Sequence, residues 1–170
     1  MKKFEFTLVL IAGTLAACSG AQDPAAEATK AREDEAAIAA VKAAQTPPPQ
    51  PLNLSAITFP DVERENLFGA GCNFAPKGGG MGAIAIAQNE AGYLKIDKKV
   101  VRFAPDAGSG ELFYGARQKY TSTGNSFQLT VDGSGKLSGE EVTDYSGRLI
   151  IRDSADRVVY DAQGLVQCGA

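Results

Sequence analysis

Residues 52–170 predict an antiparallel all-β domain, and three observations carry that prediction. Eleven of the 13 aromatic residues and 17 of the 19 glycines fall in this stretch. Its apolar runs are short and are separated by Gly, Asn, Asp and Ser, the punctuation of strands and tight turns. Phe127, Leu129 and Val131 alternate with Ser126, Gln128, Thr130 and Asp132, the period of a half-buried strand. About eight strands are expected, arranged as a small meander, barrel or two-layer sandwich. An Ala-rich spacer, helical or disordered, precedes them.

At the N-terminus, Lys2 and Lys3 lead into an apolar run over residues 6–17. The run is shorter than the roughly 20 residues that span a bilayer. It closes on Leu15-Ala16-Ala17-Cys18. This resembles the lipobox of bacterial lipoprotein precursors, in which an aliphatic and two small residues precede a cysteine. The resemblance implies a signal peptide over 1–17, cleavage before Cys18, and lipidation of Cys18 on sulfur and on the new amino terminus with acyl chains such as palmitate. Each buried CH₂ contributes about 0.8 kcal/mol, so several chains anchor stably. Ser19, in place of an Asp that would favour inner-membrane retention, implies the outer membrane, with the chain facing the periplasm. The mature chain then carries 15 basic against 19 acidic residues, a net charge of −4.

Residues 18–51 read as lipid anchor, helix and linker. Fourteen of the 27 alanines lie before residue 46, and no aromatic stands between Phe6 and Phe59. Asp23-Pro24 is a helix start, a capping carboxylate followed by Pro at the first helical position. Glu27, Lys30 and Asp34 have helical spacing for ion pairs. Ile38 and Val41 are the only larger apolar residues there, too few for a coiled coil. The segment reads as a solvated spacer, with a docking arm for an envelope complex as the alternative. Residues 46–51, Thr-Pro-Pro-Pro-Gln-Pro, stiffen the chain as polyproline II.

Within the β domain, strands are expected at 83–88, 93–97, 100–104, 111–115, 126–132, 148–153, 157–161 and 165–168. Lys98-Lys99 is expected as a hairpin turn, and 154–156 and 162–164 as further turns. No helix is expected after Pro51. With Cys18 consumed by lipid, Cys72 and Cys168 remain as an even pair in an oxidising compartment. A disulfide between them would clasp the first and last parts of the sheet and contribute up to about 4.7 kcal/mol in the chain-entropy model. Two reactive thiols are the alternative, which neither a C-x-x-C spacing nor a histidine favours.

The chemistry is bounded mostly by what is missing. There is no histidine, so no Ser-His-Asp triad, Cys-His dyad or His-ligated metal can be built. The mild acidity gives no sign of a nucleic-acid partner. Residues 77–82, Lys-Gly-Gly-Gly-Met-Gly, lack the Gly-Lys-Ser/Thr order of a P-loop and read as a rim loop able to approach a ligand closely. Asp132-Gly133-Ser134-Gly135-Lys136 fails the EF-hand pattern, which would need Gly at Leu137 and Glu at Thr143. Glu140, Glu141 and Asp144 read as a solvated loop. No nucleophile motif, metal set or cofactor loop is present, so the chain is expected not to be an enzyme and to need no cofactor, an unrecognised hydrolase being the remote alternative.

Charge is asymmetric. Lys95, Lys98, Lys99, Arg102, Arg117 and Lys119 face only three acidic residues between Lys95 and Tyr120, whereas residues 132–161 hold seven acidic against four basic. These basic residues, with Tyr120 beside them, predict a positive edge for an anionic partner such as peptidoglycan, a lipid head group or an acidic protein face. The alternative is a solubilising surface that guards an edge strand. The segments 93–99 and 115–120, with the lipid anchor and disulfide, are loosely similar to membrane-bound inhibitors of C-type lysozyme. That resemblance implies a non-enzymatic inhibitor or binding module. Tyr120 follows Ala116-Arg117-Gln118-Lys119 where the family has a Ser-Gly-x-x-Tyr loop, and no functional residue is carried over.

Overall fold

The computed structural model describes residues 24–45, 48–80 and 82–170, so Cys18 and the apolar segment before it lie outside the described residues. The described residues fall into two units, 24–45 and 48–170. In the first, Pro24–Gln45 is one helix, α1. Pro24 takes the first position, and Glu27 and Lys42 complement the two ends of the helix dipole. Every residue of α1 is exposed. Its alanines supply helix propensity rather than a core.

The second unit is an all-β barrel. A two-residue strand β1 (Leu54–Ser55) and a short helix α2 (Phe59–Glu65) lead into eight strands: β2 (Gly71–Pro76), β3 (Ala85–Gln88), β4 (Gly92–Ile96), β5 (Lys99–Pro105), β6 (Lys119–Thr121), β7 (Asn125–Leu137), β8 (Thr143–Asp153) and β9 (Val158–Gly169). Each of the eight pairs antiparallel with the next, and β9 pairs back onto β2. The meander therefore closes on itself and leaves few free edges. β1 pairs with Lys95 and Ile96 of β4, beyond the point where β3 ends at Leu94.

Period 2 along the strands decides what fills the interior. Phe74, Leu94, Phe103, Tyr120, Phe127, Leu129, Leu149, Ile151 and Val166 are fully buried. Tyr120 stacks on Phe127 at 4.9 Å, and Phe103 meets Phe127 edge-on at 5.2 Å. Cys72 and Cys168 are direct partners in the β2–β9 pair and form a disulfide.

A second, smaller core lies on the outer wall. Ile57, Leu67 and Ile86 are buried together there, with Val62, Tyr93 and Val100 around them. α2 supplies part of this cover, although the sequence reading expects no helix after Pro51. Its signals are compact: Thr58 and Asp61 at capping-box spacing, Pro60 in the first turn, and Asn66 in the left-handed region (φ 51) as C-cap.

Other elements also differ from expectation. Residues 162–164 are not a turn, because β9 runs unbroken with Gly164 opposite Gly147 of β8. A Cβ on Gly164 would stand 2.1 Å from the Ala75 carbonyl oxygen, so this glycine marks close backbone approach. Residues 111–115 are not a strand; Glu111 forms a single bridge to Arg117, and Phe113–Gly115 form a 3₁₀ turn. The β4–β5 turn is Asp97-Lys98, one residue earlier than expected, because Ile96 pairs with Lys99.

Candidate binding surface

The strand register separates the predicted basic residues. β5 begins at Lys99, and at its far end the Asp106 amide donates to the Lys119 carbonyl at 2.9 Å. Seven residues of strand amount to about 23 Å. Lys98 and Lys99 thus stand at one end of the barrel and Arg117 and Lys119 at the other, so no single patch unites the six. Arg102, between them, donates to the Glu90 carbonyl at 3.1 Å. Arg117 faces Glu111 at 3.9 Å, and Lys119 faces Asp106 at 3.7 Å. Lys98 and Lys99 are exposed.

Tyr120 does not stand on that edge. Its position has inward parity between Lys119 and Thr121, and its side chain is fully buried. The hydroxyl donates to the Gln88 carbonyl at 2.7 Å and accepts the Arg117 amide at 2.8 Å. Burial pushes its pKa up, with the Arg117 amide opposing. It ties the 106–118 loop to the barrel wall.

Lys95 also has a structural role. Its ammonium lies 2.5 Å from Asp61, and its side chain is 15% exposed. Asp61 is 3% exposed. The carboxylate also accepts the Thr58 amide and hydroxyl, both at 2.8 Å, and the Arg64 guanidinium at 2.6 Å. These donors, Lys95 foremost, hold the Asp61 carboxyl well below the usual carboxylate range. The cluster fastens α2 to β4. The sequence places Asp61 and Lys95 34 positions apart, which is why spacing alone did not connect them.

A concavity of about 710 Å³ lies beside the glycine-rich loop. Asp132, Ser146, Leu165 and Ala75 are direct partners in successive strand pairs β7, β8, β9 and β2. Their parity is opposite to that of buried Leu129, Leu149, Val166 and Phe74, so the row faces outward. Lys77, Gly78, Gly79 and Gly80 form one wall, and Asp144, Tyr145 and Gln163 are also among the lining residues. The Gly79 amide donates to the Pro76 carbonyl at 3.0 Å, and Gly78 has φ 77. That combination is a type II turn, whose third position favours glycine.

Glu140 and Glu141 are exposed. Asp144 accepts Ser138 Oγ at 2.7 Å and Gln167 Nε2 at 2.9 Å. Among the described residues, no group of three or more His, Cys, Asp or Glu side chains is placed to hold a metal ion. No protein-family model matches the chain, and no curated protein and no solved structure matches it.

Proposed function

We propose that this chain is a lipid-anchored protein of the bacterial cell envelope, held at Cys18 on the periplasmic side of the outer membrane. Its barrel is a non-enzymatic binding or inhibitor module for an anionic envelope component or protein face. The contact is made by Lys98 and Lys99 at the tip of the β4–β5 hairpin. The barrel interior is filled by large side chains, which favours recognition on the outer surface.

One observation carries this reading. Asp97 and Lys98 both have positive φ, 49 and 64, the geometry of a two-residue hairpin turn that prefers Asn-Gly or Asp-Gly. Glycine would hold the second position with less strain, since a left-handed L-residue costs roughly 1–2 kcal/mol. A lysine kept there at that cost, beside a second lysine, and with no ion pair to either among the described residues, suits a contact residue. The test is partner capture from an envelope extract by the full chain, compared with Lys98→Glu combined with Lys99→Glu. The double variant is expected to lose the captured partner. Equal recovery by both proteins rejects the proposal.

A further inference from the structure

The groove beside residues 77–80 is lined by opposite charges at its two ends. Asp132 stands on β7 and Lys77 follows β2, with β8 and β9 between them. Three interstrand spacings of about 4.8 Å give roughly 14 Å from the Asp132 position to the β2 side. Neither side chain is in an ion pair among the described residues, and the span is too long for them to pair with each other. Around Lys77, the Lys77 and Gly79 amides are taken by the Gln163 and Pro76 carbonyls. Among the described residues the amides of Gly78 and Gly80 make no such bond, and apart from chain neighbours nothing lies within 4 Å of where either residue's Cβ would stand. Between the charged ends lie the Ser146 hydroxyl, the Gln163 amide and Leu165, which is 39% exposed. A groove of this volume falls in the range of small-ligand sites.

The geometry points to a binding site for a short zwitterionic peptide of about four residues with both ends free. Four extended residues reach about 14 Å, the span across the strands from the Asp132 position to the β2 side. The peptide's ammonium meets Asp132, with Asp144 nearby. Its carboxylate meets Lys77 and the Gly78 and Gly80 amides. Ser146 and Gln163 bond its backbone, and Leu165 takes an apolar side chain. A single amino acid is too short to reach both ends. A diamine or a dicarboxylate satisfies only one. An internal segment of a protein lacks the free termini.

The probe is tetra-alanine with free termini, titrated into the full chain in mild detergent while backbone amide NMR shifts are followed. Shifts are expected at residues 77–80 and 163–165. N-acetylation and C-amidation are each expected to weaken binding about three-fold, the size of an exposed ion pair. Lys77→Gln should abolish the effect of amidation and leave that of acetylation, and Asp132→Asn should do the converse. Both residues are exposed, so these variants are expected to keep the wild-type amide spectrum away from the groove. The inference is overturned if the free peptide produces no shifts in the groove. It is equally overturned if the doubly capped peptide or alanine alone binds as well as the free peptide, or if the variants keep the full sensitivity to both caps.

Discussion

Cys72 and Cys168 face each other in the strand pair β2–β9, the pair that turns the meander into a barrel. The disulfide therefore staples the seam between chain positions 96 apart. Replacing both cysteines by serine is expected to cost about 2–4 kcal/mol of unfolding free energy. Urea titration should read this as a lower midpoint, and mass spectrometry of the unreduced protein should find the two peptides linked. An unchanged midpoint would show that the seam holds without the staple.

Acid should weaken the α2 attachment. The Asp61 carboxyl titrates lower in the folded chain than in the unfolded one, because Lys95, Thr58 and Arg64 donate to it. Its contribution to stability is thus complete above the unfolded value of about 3.9 and is lost as the pH falls toward the folded value. Asp153 and Asp161, lowered by Arg157 and Arg148, act in the same direction. Urea midpoints measured between about pH 2 and pH 6 should fall on acidification, and less steeply in Asp61→Asn. Identical slopes in the two proteins would remove the Asp61–Lys95 pair from the account.

Gly92 leaves room for the aromatic core. A Cβ there would stand 2.5 Å from Phe127 Cζ and 2.7 Å from Tyr120 Cγ. Gly92→Ala should destabilise by roughly 1–3 kcal/mol through overpacking, with little change in the urea m-value. A neutral result would mean that the stacked rings move aside at no cost.

Strain at Lys98 separates a contact role from a solubilising one. Lys98→Gly relieves a left-handed lysine and is expected to raise stability by up to about 1 kcal/mol. The same variant should bind the envelope partner more weakly, a trade of function for stability. Higher stability with undiminished capture would assign the hairpin charges to solubility alone.

The proposed membrane attachment rests on one residue. Cys18→Ala should move the chain from the membrane pellet to the soluble fraction, because the acyl chains are then absent. A variant that still sediments with membranes would place the anchor elsewhere.

Much of the fold was legible because strands advertise themselves through period 2. Phe127, Leu129 and Val131 alternate in sequence and face inward in the barrel. The errors share a cause. Gly164 reads as turn punctuation, yet it marks close approach of β9 to Ala75. Helix α2 is too short for a periodic pattern, and its signals are the Thr58–Asp61 capping-box spacing, Pro60 and Asn66. Tyr120 was expected on the surface because its neighbours are basic, whereas its parity turns it into the core.

The candidate surface was less legible than the fold. The six basic residues cluster along the chain, but β5 carries them to opposite ends of the barrel. The glycine-rich loop was recognisable as a rim element, while its partners Asp132, Ser146 and Leu165 come from three other strands.

By itself, the sequence determined the all-β class, the pairing of Cys72 with Cys168 and the start of α1 at Pro24, because each depends on local pattern or on elimination. Only the tertiary structure decided for a barrel over a sandwich, for Lys95 as a buttress, and for the charge-lined groove. Those depend on which strands meet after closure. Closure is a long-range event set by how the whole set of inward side chains packs, and no short stretch of the chain encodes it.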